Sequence, residues 1–292
     1  MKPGILTILC LFSLCACGTG KYVANETFPS ATTAYTPNGI LEEVFHPTSV
    51  PGPSMRRMLV YLPADYYGGE DRYPVLYLLH GARGNENSWI FKGRLLETVD
   101  SLTTCGAMAK TIIVMPNLNQ YDNDGDYGRS RCKGAVESVF EIDGSAEYAF
   151  AHDVVATVDR MFRTIPEKSG RAIAGLSIGG FQAIHLSASY PDMFDYIGAF
   201  SPFTRTIVKR GEHSDFFRCL RRRLDVQFAD PPELYWIMTG KNDIFQPRIQ
   251  EFLSLMDRKG YLHEYHESAG GHSWDNWEAY CCVFMKNLWK NN

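Results

Sequence analysis

Apolar residues along the chain fall into short unbroken runs separated by longer stretches with helical spacing. Runs at 58–62, 75–79, 112–115, 171–174, 196–200 and 235–239 read as strands, with a last one at 262–266. A continuous apolar run of four or five residues suits a strand covered on both faces. Between the runs, residues 149–162 place Phe150, Val154, Val158 and Phe162 on one side of a helix. Residues 178–190, 246–259 and 274–290 carry a similar period. The first of these stops before Pro191 and the second before Gly260. Strands alternating with helices predict βαβ units and one α/β domain, its central sheet mostly parallel and helices on both faces. Ligands of such sheets bind beyond the carboxyl ends of the strands. The informative loops are therefore those after Leu79, Ala174, Thr239 and His266.

These loops hold the candidate chemistry. Gly175-Leu-Ser-Ile-Gly179 fits G-x-S-x-G between an expected strand and an expected helix. The tight turn lifts the Ser177 hydroxyl above the sheet at a helix N-terminus, where developing negative charge is favoured. A serine hydroxyl is a weak nucleophile and needs a base. In this strand–turn–helix setting the order is Ser, then acid, then His. Of the histidines after Ser177, His263 and His266 fall in or beside the last strand. His272 sits in the flexible Ser-Ala-Gly-Gly-His loop and is the expected general base. Asp243 lies just past the strand ending at Thr239 and is the expected acid that orients His272. Asp225 and Asp230 precede that strand and are weaker rivals. The oxyanion donors are expected to be the Ile178 N–H and an N–H at Gly81 or Ala82, in the loop after Leu79. His80 is expected to order that same loop. No metal or organic cofactor is needed for this chemistry.

Composition adds boundaries rather than detail. The 292 residues are 45% hydrophobic and 21% charged, with a net charge of −4. That excludes a disordered chain, a collagen-like fibre and a polytopic membrane protein, and argues against a nucleic-acid partner. The N-terminus reads differently from the rest. Lys2 precedes an apolar run at 5–14, too short to span a bilayer and suited to an export signal. Leu14-Cys15-Ala16-Cys17 resembles a bacterial lipoprotein signal, which implies lipidation of Cys17 and a membrane anchor without a span. An ordinary cleaved secretory signal is the other reading. Residues 1–17 are thus expected to be the signal, 18–40 a flexible tether and 41–292 the enzyme domain. Three of the eight cysteines lie in the signal. The remaining five (Cys105, Cys132, Cys219, Cys281, Cys282) are no disulfide framework and show no zinc spacing.

Taken together, "VYLPADY", "YPVLYLLHGARGNENSW", "IIVMPN", "AGLSIGGFQAIHLSASYPDMFD", "IGAFSP", "TGKNDIF" and "GGHSWDNW" resemble the esterase D-like family of α/β-hydrolases over residues 40–290. The family includes carbohydrate esterases of the feruloyl and acetylxylan type, S-formylglutathione hydrolases, siderophore esterases and mycolyltransferases. The resemblance implies an α/β-hydrolase fold with Ser177 as nucleophile, Asp243 as acid and His272 as base. For an exported member it implies a serine carboxylester hydrolase that removes feruloyl or acetyl groups from plant polysaccharide such as xylan. A siderophore esterase, an acyltransferase or a glycan-binding lipoprotein are the alternatives. Trp89 and Trp274 match family positions near the site and are candidate substrate contacts.

Two segments stay outside this scheme. Asp122, Asp124 and Asp126 hint at a calcium loop, but Lys133 stands where an EF-hand needs Glu, so a solvated rim loop is expected. Residues 203–233 are rich in arginine and suggest a small cap over the site or a solvated helix face.

Overall fold

The computed structural model describes residues 6–8, 35–49, 55–118, 148–204 and 215–290. Cys17, Cys132 and the aspartate-rich segment at 119–131 lie outside the described residues, as does His213, a further histidine after Ser177.

A nine-stranded sheet forms the centre of the molecule. Its strands are β1 (Leu6–Ile8), β2 (Ile40–Pro47), β3 (Met55–Leu62), β4 (Val75–Leu79), β5 (Ile112–Pro116), β6 (Arg171–Leu176), β7 (Tyr196–Phe200), β8 (Leu234–Gly240) and β9 (Glu264–Ser268). They lie in the order β1-β2-β3-β5-β4-β6-β7-β8-β9. β2, β3 and β5 pair antiparallel, and every neighbour from β5 through β9 is parallel. The short β1, inside the expected signal, runs parallel along the outer edge of β2.

The strands read as continuous apolar runs because both faces are covered. In β4, Val75, Tyr77 and Leu79 join one core cluster while Leu76 and Leu78 join the other. The helices divide the same way. α1 (Ser88–Phe91), α2 (Leu95–Thr104) and α7 (Trp274–Met285) supply Trp89, Leu95, Val99, Trp277 and Phe284 to one face. The other face takes Val158 of α3 (Ala156–Met161), Ile184 of α4 (Ile178–Ser189), Leu224 of α5 (Asp215–Gln227) and Phe252 of α6 (Gln246–Lys259). This is the doubly covered α/β sheet that the alternation predicts.

Several details differ from the sequence expectations. The helix expected over 149–162 opens with a π-helical stretch, Phe150–Val155, before α3. The arginine-rich stretch contains α5, which lies against α4. It buries Leu220 and Leu224 one turn apart and leaves Arg221 and Arg222 in solvent, so α5 is a solvated helix face rather than a cap. The expected tether ends before residue 40. The Tyr35 hydroxyl and the Asn38 N–H both donate to Asp100 of α2, at 2.9 and 2.6 Å, so the domain is already in place at Tyr35.

Candidate active site

The chain reverses sharply between β6 and α4, and Ser177 occupies the reversal with φ 56° and ψ −114°. A side-chain-bearing residue at positive φ costs about 1–3 kcal/mol and persists only where its surroundings enforce it. Here the Ser177 N–H donates to Phe200 O at 2.8 Å, and the Phe203 N–H donates to Ser177 O at 3.2 Å. Close approach of backbones makes the glycine after the turn necessary. A Cβ on Gly179 would lie 2.5 Å from His80 O and 2.7 Å from Leu79 O.

Two other strand ends complete the centre. Asp243 follows β8, and its carboxylate accepts the Phe245 N–H at 2.8 Å. His272 follows β9 in the loop leading to α7. Its Nδ1 lies 3.1 and 3.0 Å from the two Asp243 oxygens, and its Nε2 lies 3.0 Å from Ser177 Oγ. An ionised carboxylate only accepts, so Nδ1 carries the proton and Nε2 accepts from the Ser177 hydroxyl. Burial alone would raise the Asp243 carboxyl. Hydrogen bonds from His272 and the Phe245 N–H, with the neighbouring Ser201 hydroxyl, outweigh it and hold Asp243 below its ordinary value. Ser177 and Asp243 are buried, whereas the His272 side chain keeps 19% of its surface open, so the centre is reached from solvent at the imidazole.

The sequence rivals are engaged elsewhere. Asp225 holds Lys259 and Tyr261, and Asp230 holds Lys168. His263 binds Tyr261 O, and His266 lies on the exposed face of β9.

The loop after β4 runs alongside. A Cβ on Gly81 would lie 3.5 Å from Ser177 Cβ, which puts this backbone beside Ser177. Ala82 is exposed next to it, and Ile178 opens α4, where a first-turn N–H has no acceptor within the helix. The loop is fastened from several sides. The Trp89 indole N–H donates to Leu79 O at 2.9 Å. The buried Glu86 carboxylate accepts from Arg57 of β3, which also reaches Glu43 of β2 at 2.6 Å.

The expected contact at Trp89 needs correction. Trp89 is only 1% exposed and its N–H is already bonded, which leaves it no face for a substrate. Instead it backs Trp274, whose ring it meets edge-on at 5.3 Å. Trp274 is half-buried and stays available. Sequence reading missed the groups that hold the imidazole. Phe245 and Trp277 meet the His272 ring edge-on at 5.0 and 4.8 Å, and Asn276 Nδ2 donates to Gly271 O at 2.8 Å. Their residues stand in "NDIF" and "GGHSWDNW", but no local spacing marks them as ring neighbours.

A serine at a strand–helix reversal, relayed through His272 to a carboxylate in the chain order Ser, Asp, His, on this sheet, defines an α/β-hydrolase. Within that class the chain belongs to the family described as "Putative esterase", whose model matches residues 52–281. A relative named endo-1,4-beta-xylanase/feruloyl esterase, from Xylanibacter ruminicola, is 28% identical over 242 residues. The match takes in 81% of this chain and only 30% of that protein, so this chain spans under a third of it. A solved ferulic acid esterase has a TM-score of 0.68 at 24% identity, covering 87% of this chain and all of the other. The ferulic acid esterase of Anaeromyces mucronatus, solved with ferulic acid, gives 0.67 at 20%, covering 86% and 90%.

Proposed function

We propose that the chain is a serine carboxylester hydrolase whose triad is Ser177, His272 and Asp243. The observation that carries the reading is the unbroken run of hydrogen bonds from Ser177 Oγ through His272 to Asp243. Ser177 Oγ attacks the ester carbonyl carbon while His272 Nε2 takes its proton. Asp243 stabilises the resulting imidazolium and stays ionised. The N–H of Ile178 and one from Gly81 or Ala82 hold the tetrahedral oxyanion. The carbon–alkoxy bond then breaks, and His272 returns the proton to the leaving alcohol. Water repeats the sequence on the acyl-enzyme and frees the acid.

The substrate part of the proposal is a feruloyl or acetyl ester on plant polysaccharide such as xylan. It is supported by the names of the relatives and by the aromatic surround of His272 and Trp274. The location part is export, with the signal cleaved before Cys17 and Cys17 acylated, or secretion if the signal is an ordinary one. Removal would take β1 away and leave eight strands.

The test compares residues 18–292 with Ser177→Ala on methyl ferulate, p-nitrophenyl acetate and acetylated xylan. Ser177-dependent release of ferulate is expected. Acetate alone would make the enzyme a deacetylase. A folded wild type inactive on all three would contradict the plant-ester reading, and trilactone hydrolysis or transfer to added glycan would replace it.

A further inference from the structure

His80 follows β4 and is buried. Its Nδ1 lies 2.8 Å from Gly81 O, and its Nε2 lies 3.1 Å from the Leu118 N. A carbonyl oxygen accepts and a backbone N–H donates, so only one form of the ring satisfies both contacts. That form is neutral, with the proton on Nδ1. Burial pushes the His80 pKa down to about 4, which keeps the ring neutral across the ordinary working range. The same Gly81 carbonyl also accepts the Gly84 N–H at 3.0 Å.

Gly81 C=O and Ala82 N–H are two ends of one peptide unit. In a trans peptide they point in opposite directions, and no described peptide bond is cis. Two donors holding Gly81 O therefore also hold the opposite end of that peptide, the Ala82 N–H, in a segment whose Gly81 borders Ser177. We infer that His80 is a positioning residue that aims the Ala82 N–H at the oxyanion, which also selects Ala82 over Gly81 as the loop's donor. The inference rests on the ester-hydrolysis reading above. It gives His80 a role in catalysis without contact to substrate. The Leu118 N–H fixes the ring plane, and the ring plane fixes the peptide. The oxyanion donor is thereby set before substrate arrives, as electrostatic stabilisation of a transition state requires.

The test uses three substitutions, each checked for intact thermal unfolding. An Asn amide can place its NH2 where Nδ1 stands, whereas a Gln amide reaches the Nε2 position. His80→Ala and His80→Gln should lower kcat on p-nitrophenyl acetate about 10–100-fold, below the full loss of a donor of about 10²–10³, with KM nearly unchanged. His80→Asn should recover most of the lost kcat. Phenylboronic acid, whose serine adduct places an oxygen in the oxyanion site, should weaken in step with kcat/KM across the set.

A folded His80→Ala with wild-type kcat would overturn the inference. So would recovery by Gln in place of Asn, or boronate affinity that does not follow kcat/KM. Ser177→Ala measured alongside separates the two levels. If it is as active as wild type, the hydrolase reading itself fails. If it is inactive while His80→Ala is not, only the role of His80 fails.

Discussion

Ser177 occupies a left-handed backbone conformation at φ 56° because β6, β7 and the loop after β4 leave it no other. The same packing sets its hydroxyl 3.0 Å from His272. Asp243 acts one step further back. Its carboxyl lies below its ordinary value of 3.8, so it is charged at neutral pH. The sign follows from linkage. A carboxylate held lower in the fold than in the unfolded chain adds stability that is present above its ordinary pKa. That stability is lost as the pH falls through the folded value. Asp243→Asn should lower kcat about 10⁴-fold by allowing the wrong imidazole tautomer. It should also flatten the acid limb of urea-denaturation stability below about pH 4. An Asn variant with kcat within a factor of ten of wild type would remove Asp243 from the mechanism.

Among the elements, the turn from β6 into α4 tolerates least. Gly179 faces the carbonyls of Leu79 and His80, and backbone cannot swing aside as a side chain can. Gly179→Ala should therefore cost more than about 2 kcal/mol in chemical denaturation, in the range of overpacked cores. A loss under about 0.5 kcal/mol would mean the two segments are not in contact. The sheet centre was legible because strands buried on both faces leave uninterrupted apolar runs. The edges were not. β2 carries Glu42 buried among its apolar residues, which hides its alternation. β9 lies at Glu264–Ser268 rather than 262–266. It is an edge strand with Glu264, His266 and Glu267 exposed, and Leu262, which drew the expectation, is 71% exposed in the loop before it. The arginines of α5 mask the Leu220–Leu224 stripe that seats it. The site divides in the same way. Ser177, Asp243 and His272 follow from motif and chain order. The seats of Phe245, Trp277 and Asn276 around His272 arise only when β8, β9 and α7 meet.

For the whole molecule, one domain carries the entire centre. If Cys17 bears the lipid, Cys17→Ser should move the protein from the membrane fraction to the soluble fraction while leaving kcat on p-nitrophenyl acetate unchanged. Persistence in the membrane fraction would exclude that anchor. The central claim is that Ser177 is the nucleophile, raised by His272. The most direct measurement is stoichiometric labelling with diethyl p-nitrophenyl phosphate, followed by mass spectrometry of the intact chain and its peptides. The account predicts one diethylphosphoryl group per chain, on Ser177, formed in parallel with loss of activity. It also predicts that labelling disappears in Ser177→Ala and is strongly slowed in His272→Ala. A label on another residue, or labelling undiminished by Ser177→Ala, would contradict it.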